Sequence, residues 1–135
     1  VLSRYVERFL PGEPLAGRLA VAQVIGHRVA DPRWPDTWRA VCLQRAQFSC
    51  WNASDPNRRV LERLATALVD PDAMTRPSEV LKAFMVLAEV VIGGYTRDLV
   101  KGSCHYHERS ISPRWAKGQT PAVTIGHHVF FAGIR

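Results

Sequence analysis

The stretch from Pro14 to Ala30 constrains the fold most, because Leu15, Leu19, Val21 or Ala22, Ile25 and Val29 recur there at helical spacing. Pro11-Gly12 closes the segment before it and Asp31-Pro32 ends it, since the residue ahead of a proline is pushed out of helical geometry. Ala20, Ala22 and Gly26 are small enough to let another element approach closely.

Further helical stretches flank this one. Val1 to Leu10 places Leu2, Val6 and Leu10 on one side. Pro35 suits the first turn of a helix running through Trp38, Val41 and Leu43, and Asp55-Pro56 opens another over Asn57 to Val69. Ser78-Glu79 begins a long helix through Leu81, Phe84, Met85, Ala88, Val91 and Ile92, stopped by Gly93-Gly94, whose apolar stretch is expected in the core. The last third differs: Ser103 to Glu108 and Ala122 to Phe131 are rich in β-favouring residues, separated by Pro113-Arg114-Trp115 and a Gly118-Gln119-Thr120-Pro121 turn. The expected class is therefore mainly α (α+β), a helical body with a small antiparallel β element near the C-terminus.

With 135 residues, 47% of them hydrophobic, and no internal repeat or linker, one domain over 1–135 is expected. A net charge of +6 suits a polyanionic partner: nucleic acid, an acidic membrane surface or a cell wall. The basic residues are scattered, and neither a recognition helix nor an RNA-binding aromatic motif accompanies them, so nucleic acid is not the expected partner. The longest apolar run, Ala83 to Gly94, is interrupted by Glu89 and is shorter than the roughly 20 residues that span a bilayer. Val1-Leu2-Ser3-Arg4 does not read as a signal peptide, so synthesis in the cytoplasm and delivery by another route are expected. Cys42, Cys50 and Cys104 have no C-x-x-C spacing and are read as buried thiols in a reducing compartment. Nothing in the sequence specifies an oligomeric state.

Gly12-Glu13-Pro14, Gly17, Ala20-Val21-Ala22, Val24-Ile25 and His27-Arg28-Val29 form an ordered set. It continues through Pro32-Arg33-Trp34-Pro35, Val41-Cys42-Leu43-Gln44, Gln47-Phe48-Ser49-Cys50-Trp51-Asn52 and Asp55-Pro56-Asn57. It resumes at His105-Tyr106-His107, Pro113-Arg114-Trp115-Ala116 and Ile125-Gly126-His127-His128-Val129-Phe130. None of these is decisive alone; in this order they resemble the SleB-like cell-wall hydrolase family, in its phage-type branch.

The resemblance implies a lysozyme-like fold and an endolysin-like enzyme that cuts peptidoglycan glycan strands between N-acetylmuramic acid and N-acetylglucosamine. It further implies a lytic transglycosylase with one catalytic glutamate and no cofactor or metal. A phage-infected or prophage-bearing host would make the protein, with a holin or virion injection delivering it to the wall or periplasm. One feature departs from the family pattern. Family members carry two glutamates four residues apart, and the first, assigned the catalysis, falls on Phe9 here. Glu7, shifted by a two-residue insertion, and Glu13 are the candidate acids, and an inactive binding or virion structural protein on the same fold is the third reading.

Other residues suit a glycan. Gln47, Ser49, Trp51 and Asn52 combine hydrogen-bonding groups with an aromatic face, which matches a sugar's hydroxyls and apolar C–H surface. His105, Tyr106 and His107 are candidate substrate-binding residues, with one imidazole on the cleft floor. The H-x-H spacing puts both imidazoles on one strand face, yet no second ligand pair has matching spacing, so no metal is expected. Trp115 is assigned to the core. Arg4, Arg8, Arg18, Arg58, Arg59 and Arg114 are read as a solvated face attracted to anionic wall material.

Overall fold

The computed structural model describes residues 14–44, 53–54, 59 and 79–135, with the side chains of 79–85 outside that description. The helix expected from Pro14 forms as α1 (Leu15–Ala30), and Asp31 closes it in extended geometry. Next comes a single turn and a half, α2 (Trp38–Cys42). It starts later than Pro35 because the Thr37 hydroxyl accepts from the Ala40 N–H at 3.2 Å and sets the cap there. The long helix is α3 (Glu79–Ile92). The expected helices over Val1–Leu10 and Asn57–Val69 lie outside the described residues.

The buried stripe of α1 is not the one its apolar spacing suggested. Gly17, Ala20, Val24 and Arg28 point inward with Arg18 and Gln23 on either flank, whereas Leu15 is exposed. The reason is that α1 is enclosed on several sides: it packs against α2, α3 and the sheet. Gln23, on one flank, finds partners in the 96–99 segment. Gln23 Nε2 donates to Thr96 Oγ1 and the Arg97 carbonyl, and its Oε1 accepts from the Leu99 N–H. Arg18, expected on the surface, is buried as α1 is enclosed, while Arg59 and Arg114 are exposed as expected. Gly26 does admit a close neighbour: a Cβ there would meet the Trp38 ring at 3.0 Å.

The apolar stretch of α3 is less buried than expected. Among its described side chains Val86 and Ile92 are exposed, and Leu87, Val90 and Val91 are half-buried.

The β element is a three-stranded antiparallel sheet, β1 (His105–Glu108), β2 (Val123–Ile125) and β3 (His128–Phe131), in the order β1-β3-β2. Gly126, at φ +58°, lies in the two-residue turn between β2 and β3. Register puts Tyr106 and Val123 opposite Phe130, and Glu108 and Ile125 opposite His128. This face meets α1: Phe130 and Val100 join Ala20 and Val24 in a fully buried cluster, with Val21, Tyr106, Val123 and Ile125 around it. Burying such side chains stabilises the fold by about 1.5–3 kcal/mol each. Cys104 is buried and Cys42 half-buried, both as free thiols. Among the described residues no helix is long and apolar enough to cross a membrane.

Candidate functional site

The α1-facing side of the sheet changes character along its length. Phe130 is fully buried, Tyr106 stacks on it at 5.7 Å, and His128 meets the Tyr106 ring edge-on at 5.4 Å. Glu108 follows, half-buried at the end of β1. Apolar packing thus gives way to phenol, imidazole and carboxylate at a rim.

The direction of this gradient follows from contacts to α1. Arg28, in the last turn of α1, donates through Nε to the Cys104 carbonyl just before β1, at 2.8 Å. Ala20 and Val24, nearer the helix start, pack with Phe130, which is opposite Tyr106. Continuing along β1, the chain runs back past α1, so Glu108 and His128 lie toward the end where α1 begins. Gly12-Glu13-Pro14 leads into that helix end in sequence.

The rim is held by main-chain bonds: the Arg109 N–H donates to the His127 carbonyl at 2.8 Å, and the Ile111 N–H to the Glu108 carbonyl at 3.0 Å. The Ser110 hydroxyl donates to Glu108 Oε2. That bond, a second from the Ser110 backbone, and the nearby His128 and His127 hold the Glu108 carboxyl below the usual carboxylate range. At neutral pH it is an anion, suited to accept hydrogen bonds or to face a positive charge.

His105 and His107 share a face, as their spacing requires, but it is the face turned away from α1. His107 stacks on Phe131 at 5.3 Å, and Trp115 lies over both imidazoles and Phe131, with centroids 5.2–5.7 Å apart. Trp34 closes the other side of His105 at 5.6 Å and stacks on the Arg28 guanidinium at 4.2 Å. Burial, and then the charges of Arg28 and Arg33, lower the proton affinity of His105. Trp115 is 37% exposed, so it shields the outside of the sheet and does not anchor the core. The one-turn 3-10 helix Arg114–Ala116 carries it there. Of the three strand residues proposed for substrate, Tyr106 alone faces α1.

A separate groove of about 280 Å³ lies beside the second half of α1, lined by Gln23, His27, Trp38, Val91, Thr96 and Asp98 among others. Its polar groups are engaged by the protein itself. His27 Nδ1 is 3.0 Å from the Ser103 carbonyl and Nε2 is 3.3 Å from Asp98 Oδ2, which also accepts from the Gly102 N–H at 2.8 Å. Among the described residues no group of three or more His, Cys, Asp or Glu could hold a metal ion.

The family model described as Cell Wall Hydrolase matches residues 12–131, from Gly12 through Phe131, and so takes in α1 and the whole sheet. The chain belongs to the cell wall hydrolase family. A cell wall hydrolase is an enzyme of peptidoglycan degradation, and the rim belongs to such an enzyme. Two solved structures share the fold. The catalytic domain of the Bacillus cereus SleB protein is 20% identical with a TM-score of 0.59, covering 97% of this chain and 86% of that one. The catalytic domain of the germination-specific lytic transglycosylase SleB from Bacillus anthracis is 21% identical with a TM-score of 0.56, covering 97% and 90%. No curated protein matches.

The candidate acids Glu7 and Glu13, Phe9, and the loop residues Gln47, Ser49, Trp51 and Asn52 lie outside the described residues. Sequence reasoning did not single out Glu108, Ser110 or His128. The signal was available in the period of two: counting from the core-facing Tyr106, Glu108 returns to the same side.

Proposed function

We propose that this cell wall hydrolase cleaves peptidoglycan between N-acetylmuramic acid and N-acetylglucosamine as a lytic transglycosylase, with one glutamate, Glu7 or Glu13, transferring the proton. The family match through Gly12-Glu13-Pro14, directly ahead of α1, carries this reading. As an acid the glutamate protonates the leaving glycosidic oxygen. As a carboxylate it then takes the proton from the muramic C6 hydroxyl, whose oxygen closes onto the anomeric carbon. No water is consumed, so the product carries an anhydro ring. Such a glutamate works best with apolar neighbours that raise its proton affinity.

Glycan strands are the partner this chemistry requires, with Gln47, Ser49, Trp51 and Asn52 and the rim around Tyr106 as binding groups. The phage-type wording of 47–57 supports an endolysin or virion-associated setting, in which a holin or injection would deliver the enzyme. The test is mass spectrometry of the products released from purified peptidoglycan by wild type, Glu7→Gln and Glu13→Gln. Products one water lighter than those of hydrolysis, lost in one variant, are expected, because glutamine keeps the shape without the proton. Products with an added water would refute transglycosylation. A folded wild type that releases nothing would favour the inactive binding or virion structural protein, with Phe9 in the family's acid position as the reason.

A further inference from the structure

We propose that the groove beside the second half of α1 is a separate saccharide site, which seats one N-acetylglucosamine ring of a glycan strand. The inference rests on peptidoglycan as the substrate class and not on which glutamate acts. The groove lies where α2 and α3 each pack on α1. Gly26 forms its floor and the Trp38 ring lies close by, since a Cβ at Gly26 would come within 3.0 Å of that ring. Val91 and Ile92 of α3 supply a second, apolar wall, and Ile92 is 58% exposed, so the wall is open to a ligand. An aromatic and an apolar wall together suit the C–H faces of a sugar. A volume of about 280 Å³ is at the small end for ligand pockets and matches one ring.

The polar end of the groove is fixed before any ligand arrives. Buried Gln23 donates to Thr96 Oγ1 at 3.1 Å and to the Arg97 carbonyl at 2.7 Å, and accepts from the Leu99 N–H. Asp98 accepts from the Val100 and Gly102 N–H groups and lies 3.3 Å from His27 Nε2. Both groups keep capacity for a ligand. The Thr96 oxygen accepts from Gln23, and its hydroxyl proton meets no acceptor among the described residues. Each Asp98 oxygen takes one N–H bond and the side chain is 43% exposed, so lone pairs remain.

The chemistry then selects among the parts of the wall. One hydroxyl donor and one carboxylate acceptor beside apolar walls match the hydroxyls of an uncharged ring. Asp98 repels an anion, and the two N–H bonds it accepts already stabilise its charge, which weakens its pull on an amine. Muramic acid fits less well because its O3 carries the lactyl ether, whereas N-acetylglucosamine keeps that hydroxyl free. No covalent bond forms or breaks here. A strand held in the groove stays beside the enzyme, which raises its effective concentration at the cleft.

The test is an amide NMR titration of the intact protein with the methyl glycoside of N-acetylglucosamine, which has no inter-sugar bond to cut. Saturable shifts are expected at Gly26, Gly94, Thr96 and Asp98 and at the Trp38 indole N–H, with Kd on the order of 1–10 mM. Thr96→Val removes the hydroxyl and leaves Gln23 its bond to the Arg97 carbonyl; Kd should weaken about 5-fold, the worth of one hydrogen bond. Trp38→Leu removes the aromatic wall and should weaken Kd by a similar factor; if it lowers Tm, Thr96→Val decides. N-acetylmuramic acid and L-lysine should both bind more weakly than the glycoside. Shifts confined to the sheet, no shift at these signals up to about 50 mM glycoside, lysine binding as tightly, or wild-type Kd in a folded Thr96→Val overturns the proposal. Release of muropeptides from purified peptidoglycan is scored separately: a wild type that releases none overturns the glycosidase reading, whatever the groove binds.

Discussion

Arg28 Nε and the Cys104 carbonyl oxygen, 2.8 Å apart, fix the direction of β1 along α1. Arg28 is 4% exposed and its guanidinium lies over the Trp34 ring, a combination that a lysine ammonium does not reproduce. Arg28→Ala should destabilise the protein by about 2–4 kcal/mol, from the lost charged hydrogen bond and the desolvated carbonyl. Arg28→Lys should recover less than half of that. Chemical denaturation checks both, and an Arg28→Ala midpoint equal to wild type would show that the bond does not hold the sheet to α1.

Gly26 and Trp38 set the spacing of α1 and α2. A methyl group at Gly26 would sit 3.0 Å from the ring, so Gly26→Ala gains helix propensity of about 1 kcal/mol and loses a comparable amount in displacing Trp38. The expected net change is small. Gly26→Val adds bulk that the ring cannot evade and should lower Tm clearly. Unchanged Tm in Gly26→Val would mean that the contact is loose.

Asp31 titrates far below its ordinary range, at about 2, because the Arg33 side chain bonds both its oxygens, with a further bond from the Arg33 N–H. A depressed carboxylate contributes stability above its unfolded value of 3.8 and loses it as pH falls toward 2, the acid direction. Carboxyl-carbon NMR should give a midpoint near 2 in wild type and a clearly higher one in Arg33→Ala, short of a full return to 3.8 because the backbone N–H of residue 33 still bonds Asp31. The same variant removes the 2.6 Å bond from Arg33 to the Ile134 carbonyl and should loosen the C-terminal residues. An unmoved midpoint would rule out Arg33 as the cause.

The fold class was legible in the sequence because two periods dominate it, helical from Pro14 to Ala30 and alternating near His105 and Val129. The buried face of α1 was not. Periodicity marks apolar residues, whereas Gln23 and Arg28 are buried through bonds to the 96–104 segment, which only the tertiary fold supplies. Trp115 misled for a related reason: a large aromatic reads as core, yet here it covers the outside of a sheet with one edge in solvent. His105 and His107 were correctly placed together and could not be oriented, since alternation gives two faces and does not say which meets the helix. Glu108 was overlooked because a single glutamate at a strand end looks like any solvated carboxylate until His128 is seen opposite it.

Digestion of purified, insoluble peptidoglycan by the wild-type protein, followed as soluble muropeptides released over time, tests the central claim most directly. The account predicts steady release at catalytic protein concentrations, with products ending at muramic acid. Binding to the wall without soluble products, by a protein shown to be folded, would contradict it.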